Sequence, residues 1–266
     1  MKLVFLDVKT IGDDLDLSPF DQFGEVVKYS FSAPSEVPGR IQDADVIIVN
    51  KIQINETTIG SAKNLKLVCV TATGTNNLDK DYLDKRGIVW RNVAGYSTES
   101  VAQHTFAMLF YLLEHLKYYD DYVKKDHYTN DTVFTHFEKT FYELNGKTWG
   151  IIGLGNIGRR VASIAEAFGA RVIYSSPSGA APQEGFHQVS LDTLLETSDI
   201  VSVHAPLNEH TKNLIDLSSF RKMKKSAIFL NLGRGPIVVE KDLRSALETN
   251  EILAAGLDVL SEEPMR

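Results

Sequence analysis

With 266 residues and 43% hydrophobic content, the chain is longer than a usual single domain and can fill more than one core, so two domains are expected and a disulfide-stapled miniprotein is excluded. Its 28 basic and 35 acidic residues leave a net charge of −7, which argues against a nucleic-acid binder or a basic membrane-surface protein and for a small-molecule partner. One cysteine, Cys69, cannot form an intrachain disulfide, and no apolar stretch approaches the ~20 residues that a membrane span needs, so a cytoplasmic protein in a reducing compartment is expected.

Short β-rich runs recur through the first hundred residues: KLVFLD (2–7), EVVKYS (25–30), ADVIIVN (44–50), LKLVCVT (65–71) and IVWRNV (88–93). Polar or helix-compatible segments separate them. Near-continuous apolar strands spaced by helices predict a parallel sheet covered on both faces, because the crossovers must pass over it. Cys69 falls inside the fourth run and reads as a strand thiol rather than a nucleophile.

The stretch STESVAQHTFAMLFYLLEHLKYYDDYVKK follows. Val101, Thr105, Met108, Leu112 and Leu116 recur at helical spacing and Thr98 is placed to cap, which predicts one long helix at a domain junction. From Asp126 to Tyr142 the chain is aromatic and polar without a period. It reads as an arm that packs on a partner subunit, with an ordinary surface loop as the alternative.

A second strand series runs through KTWGIIG (147–153), ARVIYS (170–175), DIVSVHA (199–205), AIFLNLG (227–233) and ILAAGLDV (252–259). Helical segments are predicted at 157–168, 191–196, 218–222 and 240–249. The chain therefore reads as two α/β units, each a doubly wound parallel sheet.

Gly153, Gly155 and Gly158 form G-L-G-N-I-G between a strand and a helix. There they allow a tight turn, close approach of backbone to a pyrophosphate and close helix packing, while the helix N-terminus offers N–H groups to phosphate. The next strand should end in an acid that binds the adenosine ribose hydroxyls of NAD. It ends instead in Ser175, Ser176 and Ser178, and no Arg stands there to pair with the 2′-phosphate of NADP. NAD is the expected cofactor, with NADP tolerated.

GIIGLGNIGRRVA, SVHAPLNEHTKNLI, FLNLGRGPIVVEKDLRSAL and AAGLDVLSEEP occur in that order. Together they resemble the D-isomer-specific 2-hydroxyacid dehydrogenase family. VNK at 49–51, ATGTNN at 72–77 and NVAGYSTESVAQHT at 92–105 look most like its glycerate dehydrogenases, also called hydroxypyruvate reductases. The resemblance implies a flavodoxin-like substrate domain over 1–97 and a Rossmann dinucleotide-binding domain over 98–266. It implies hydride transfer between nicotinamide and C2 of a small 2-hydroxy or 2-keto acid, and a homodimer. Around the cofactor it places Gly153, Gly155, Asn156, Ile157, Gly158, Ser175, Ser176, His204, Ala205, Pro206, Thr211, Asn231, Leu232, Gly233 and Asp258, the last receiving the nicotinamide carboxamide.

The family's carboxylate-binding Arg is matched by Arg234, whose planar, permanently charged guanidinium suits a 2-keto acid at two points. Glu263 matches the acid that orients the catalytic His and favours its imidazolium. Thr73 and Gly74 resemble the substrate loop, and Lys51 could add a positive charge to the site. The family's catalytic His lies beyond the E-P motif and has no match here; His104, His115, His127, His136, His187 and His210 carry no matching role. The chain is accordingly expected to be a truncated and weak reductase. Nor do the histidines show zinc-site spacing, so no metal is expected. Two other readings stay open: a dinucleotide-sensing protein like the C-terminal binding protein corepressors, and a phosphoglycerate dehydrogenase, for which Lys51 alone is thin support.

Overall fold

A computed structural model describes every residue except Ala180, Pro264 and Arg266. The chain divides into two compact units, Met1–Tyr96 and Ser97–Arg266.

In the first unit, β1 (Lys2–Phe5), β2 (Glu25–Lys28), α1 (Val37–Arg40), β3 (Val46–Val49), α2 (Glu56–Ile59), β4 (Leu67–Val70), α3 (Lys80–Lys85) and β5 (Val89–Asn92) follow in chain order. All pairings are parallel and the strand order is β2-β1-β3-β4-β5. This is the flavodoxin-like order. Strand alternation sends Val4, Ile47, Val49, Val68 and Val70 to one face, where Val37, Ile41, Ile59 and Leu83 cover them. Leu3, Phe5, Val46 and Ile48 face the other way, against Leu17 and the edge-on ring of Phe20. The crossovers start where short polar side chains replace missing backbone partners: Asn55 and Thr58 form a reciprocal capping box on α2, and Asp79 caps α3. Cys69 lies in β4, half-buried, and that burial pushes its thiol up against the opposing pull of the Arg91 charge.

The second unit opens with α4 (Thr98–Leu113) and α5 (Leu116–Lys124). The predicted single helix is thus two, because His115 takes a left-handed φ of 51° between them. Its ring Nε2 lies 3.1 Å from the Thr140 carbonyl. Thr98 is the first helical residue rather than the cap, a position held by Ser97 without a side-chain bond. The buried stripe is Ala102, Thr105, Phe106, Leu109 and Leu113, rotated from the predicted one; Val101, Met108 and Leu112 flank it and Leu116 is exposed. The arm after α5 has no regular element up to β6. It returns to its own helix through His136, stacked 4.0 Å from the Tyr122 ring, while Phe134 and Phe137 remain 85% and 78% exposed.

The sheet comprises β6 (Thr148–Ile152), β7 (Arg171–Ser175), β8 (His187–Gln188), β9 (Ile200–Val203), β10 (Ile228–Asn231) and β11 (Ala254–Leu257). Between them run α6 (Asn156–Ala167), α7 (Leu191–Thr197), α8 (Leu217–Lys222) and α9 (Glu240–Glu248). The parallel order β11-β10-β9-β6-β7-β8 is the Rossmann winding, reversing direction at β6. One face packs Trp149, Ile151, Ile200 and Leu230 under α4 and α6; the other packs Ile152, Val201, Val203 and Phe229 with residues of α7, α8 and α9. Gly256 lets α4 cross β11 closely, since a Cβ there would lie 2.8 Å from the Met108 methyl and 3.4 Å from Leu112. Among the described residues no helix is long and apolar enough to cross a membrane.

Candidate active site

At the point where strand order reverses, ligands bind outside the carboxyl ends of the strands. Three loops converge there on Ala205. Gly153, at φ 92°, follows β6 and donates its N–H to the Ser175 carbonyl at 2.9 Å; a Cβ on it would sit 2.7 Å from the Ala205 backbone. A Cβ on Gly233, after β10, would lie 2.8 Å from the Ala205 carbonyl. A Cβ on Gly158 would collide with the Gly153 carbonyl, so the glycine lets α6 lie close against the turn, whereas a Cβ on Gly155 would meet nothing within 4 Å. Two of the motif's glycines are therefore filled against protein and the middle one is open.

That opening belongs to a cleft of about 240 Å³. Of the residues expected around a cofactor, Gly153, Gly155, Ser176, His204, Ala205, Pro206 and Thr211 line it. Thr211 is buried and its hydroxyl donates to the Pro206 carbonyl at 2.7 Å, so it shapes the wall. Ser175 is buried beside it and lines a neighbouring cleft. Asn156 accepts from the Arg159 guanidinium at 2.6 Å, and Ile157 packs on the core. Sequence reasoning missed Leu154, Tyr174, Asn208 and Gln183. Gln183 comes from an aperiodic loop, takes the Arg159 guanidinium on its Oε1 at 2.9 Å, and donates to the Leu154 carbonyl at 3.0 Å.

Beneath the cleft, the Trp149 indole donates to Ser202 Oγ at 2.8 Å, and Ser202 Oγ lies 3.1 Å from His204 Nε2. Burial pushes His204 down to about 4, so the ring is neutral at pH 7. Its Nδ1 is buried without a partner. An open Gly155 at a helix start and an unpartnered imidazole nitrogen in the same wall fit a dinucleotide.

Arg234 follows β10. Asn231, itself buried, folds the turn that presents it: its Oδ1 accepts from the Gly233 N–H and its amide donates to the Arg234 carbonyl, both at 3.1 Å. Asn231 thus acts on the loop, with Leu232 buried behind it. Arg234 is half-buried and extended, and its guanidinium donates to the Gly233 carbonyl at 2.7 Å. Asp258 donates its N–H to the Asn231 carbonyl at 3.0 Å, and its exposed carboxylate lies 3.4 Å from Nε2 of His104 on α4. His104 had no assigned role in the sequence. Glu263 is exposed and accepts the Leu260 N–H at 2.9 Å, closing the turn after β11. Pro264 of the same motif lies outside the described residues.

In the first unit, Lys51 follows β3, and Thr73 and Gly74 follow β4, at the carboxyl edge. The Thr73 hydroxyl donates to the Val93 carbonyl at 3.1 Å. Buried Asp7, also missed, accepts the Asn50 N–H at 3.0 Å and the Lys51 N–H at 2.7 Å, which sets the turn that carries the lysine.

These loops and windings define an α/β fold of the dinucleotide-binding class. The description of the D-isomer specific 2-hydroxyacid dehydrogenase NAD binding domain matches residues 106–266. A hydroxypyruvate reductase of Blautia hydrogenotrophica is 35% identical over 274 residues, covering 100% of this chain and 84% of that protein. An acyclic imino acid reductase solved with NADPH and D-Arg has a TM-score of 0.90 at 29% identity, covering 100% of this chain and 85% of that one. The D-lactate dehydrogenase of Aquifex aeolicus, solved with NAD and lactic acid, has a TM-score of 0.86 at 29% identity, over 99% and 78%. The chain belongs to the D-isomer specific 2-hydroxyacid dehydrogenase family, and the matched region is that family's NAD-binding domain.

Proposed function

We propose that the chain reduces hydroxypyruvate to D-glycerate, with Ser97–Arg266 as the dinucleotide domain and Met1–Tyr96 as the substrate domain. The observation that carries this is Arg234, a guanidinium raised at the carboxyl edge of a parallel sheet on a turn built by buried Asn231. A planar fork of donors pairs with the substrate carboxylate at two points and draws electron density from the adjacent carbonyl. The bound dinucleotide supplies hydride to C2. Asp258 would accept from the nicotinamide carboxamide, Glu263 matches the acid that orients the family's catalytic His, Lys51, Thr73 and Gly74 would face the substrate from the first unit, and water would supply the proton to the C2 oxygen. His204 is not that His, because burial keeps its ring neutral at pH 7 and its Nε2 is engaged with Ser202 Oγ at 3.1 Å. The glycerate dehydrogenase-like ATGTNN and NVAGYSTESVAQHT segments favour hydroxypyruvate over other 2-keto acids. Turnover of NADH or NADPH with hydroxypyruvate, glyoxylate and pyruvate tests the reading: hydroxypyruvate should give the largest kcat/KM, and a larger value with either of the others rejects it.

The exposed Phe134, Phe137 and Phe141 of the arm are the surface on which we place a second copy of the chain. Light scattering after size exclusion should give a dimer mass, and a monomer for the triple Ser variant. A wild-type monomer rejects the dimer.

A further inference from the structure

The cleft at Gly155 continues past the end of β7 into a second cleft of about 370 Å³, the two sharing Ser176 and Pro177. Ser190 and His210 line it together with Ser176. His210 is brought there from the loop after β9, whose backbone is held by its N–H donating to Asn208 Oδ1 at 2.9 Å. Its ring has no hydrogen-bond partner among the described residues. Ser190 is engaged in capping α7, but Ser176 Oγ and Ser178 Oγ lie 3.2 Å apart, so only one of their two hydroxyl protons is used between them.

Among the described residues lining the two clefts there is no carboxylate. That absence of charge bears on discrimination. An acid at the end of the second strand accepts both ribose hydroxyls and repels a 2′-phosphate, and like charges so placed cost several kcal/mol. Here that position offers the hydroxyls of Ser176 and Ser178, and His210, which lines the second cleft with Ser176, adds an imidazole that presents an N–H donor whether neutral or charged.

We propose that Ser176, Ser178 and His210 form a pocket for the 2′-phosphate of NADPH, so that the chain binds NADPH at least as tightly as NADH. The proposal rests on the dinucleotide reading and adds to it a discriminating group, His210, that the glycine motif does not include. Titration of the wild-type chain with NADH and NADPH, followed by nicotinamide fluorescence without substrate, tests it. A Kd for NADPH equal to or below that for NADH supports the pocket. NADH binding with weaker NADPH binding overturns the pocket and leaves the dinucleotide reading standing; binding of neither overturns the dinucleotide reading. Ser176→Asp should weaken NADPH about tenfold or more and leave NADH unchanged or tighter. His210→Ala should weaken NADPH about tenfold with NADH unchanged, and an unchanged NADPH-to-NADH ratio in that variant overturns the role of His210. The wild-type ratio needs no variant to fold.

Discussion

Gly235 and Leu260 are packed backbone to backbone: a Cβ on Gly235 would lie 1.9 Å from the Leu260 carbonyl carbon and 2.3 Å from the Ser261 nitrogen. The turn after β11, which carries Asp258 and Glu263, is thereby seated on the peptide that follows Arg234. Ser261 donates its N–H to Glu240 at the start of α9, holding the same turn from its other side. In the proposed site, where Arg234 acts together with Asp258 and Glu263, this contact would supply rigidity.

Gly235→Ala should therefore separate the two turns. Side chains cannot relieve a clash with backbone, so the expected cost is on the order of 3 kcal/mol. Urea denaturation reads it as a lower midpoint at an unchanged slope. A midpoint equal to that of the parent would show that the two turns are not in contact.

Ser202→Ala should leave the buried Trp149 indole N–H without an acceptor. We expect a loss of roughly 1–3 kcal/mol, the usual cost of an orphaned buried donor, measured by the same denaturation. No change would mean that the indole finds another acceptor.

The pH dependence follows from His204. Burial lowers its pKa to about 4 from 6.5, so between those values the unfolded chain binds more protons than the folded one. Stability from this group is complete above pH 6.5 and is lost as pH falls toward 4. The loss should reach roughly 2 kcal/mol at pH 5 relative to pH 7.5. His204→Asn should flatten that slope, and an equal slope in the variant would place the acid-sensitive group elsewhere.

Periodicity exposes the two sheets because their strands are short, apolar and buried on both faces, as in VIIV of β3 and IFLN of β10, where all residues are buried. The glycine motif and NLGRG are legible for a similar local reason: turn, open edge and helix start follow one another in the chain. What stays hidden is long-range or too short. Trp149 and Ser202 are 53 residues apart, and neither residue type announces the bond. Gln183 and Asp7 act on distant backbone from positions without a motif. β8 has two residues, below any period. The break at His115 rests on one left-handed residue inside a run whose apolar spacing continues across it.

The central claim is that Arg234 holds the substrate carboxylate, and Arg234→Lys tests it most directly. Lysine keeps one positive charge and loses the planar two-point contact. Hydroxypyruvate-dependent NAD(P)H oxidation should fall in kcat/KM by about 100-fold or more, while the Kd for the dinucleotide, titrated in parallel, stays at the wild-type value. A variant with wild-type kcat/KM would contradict the account.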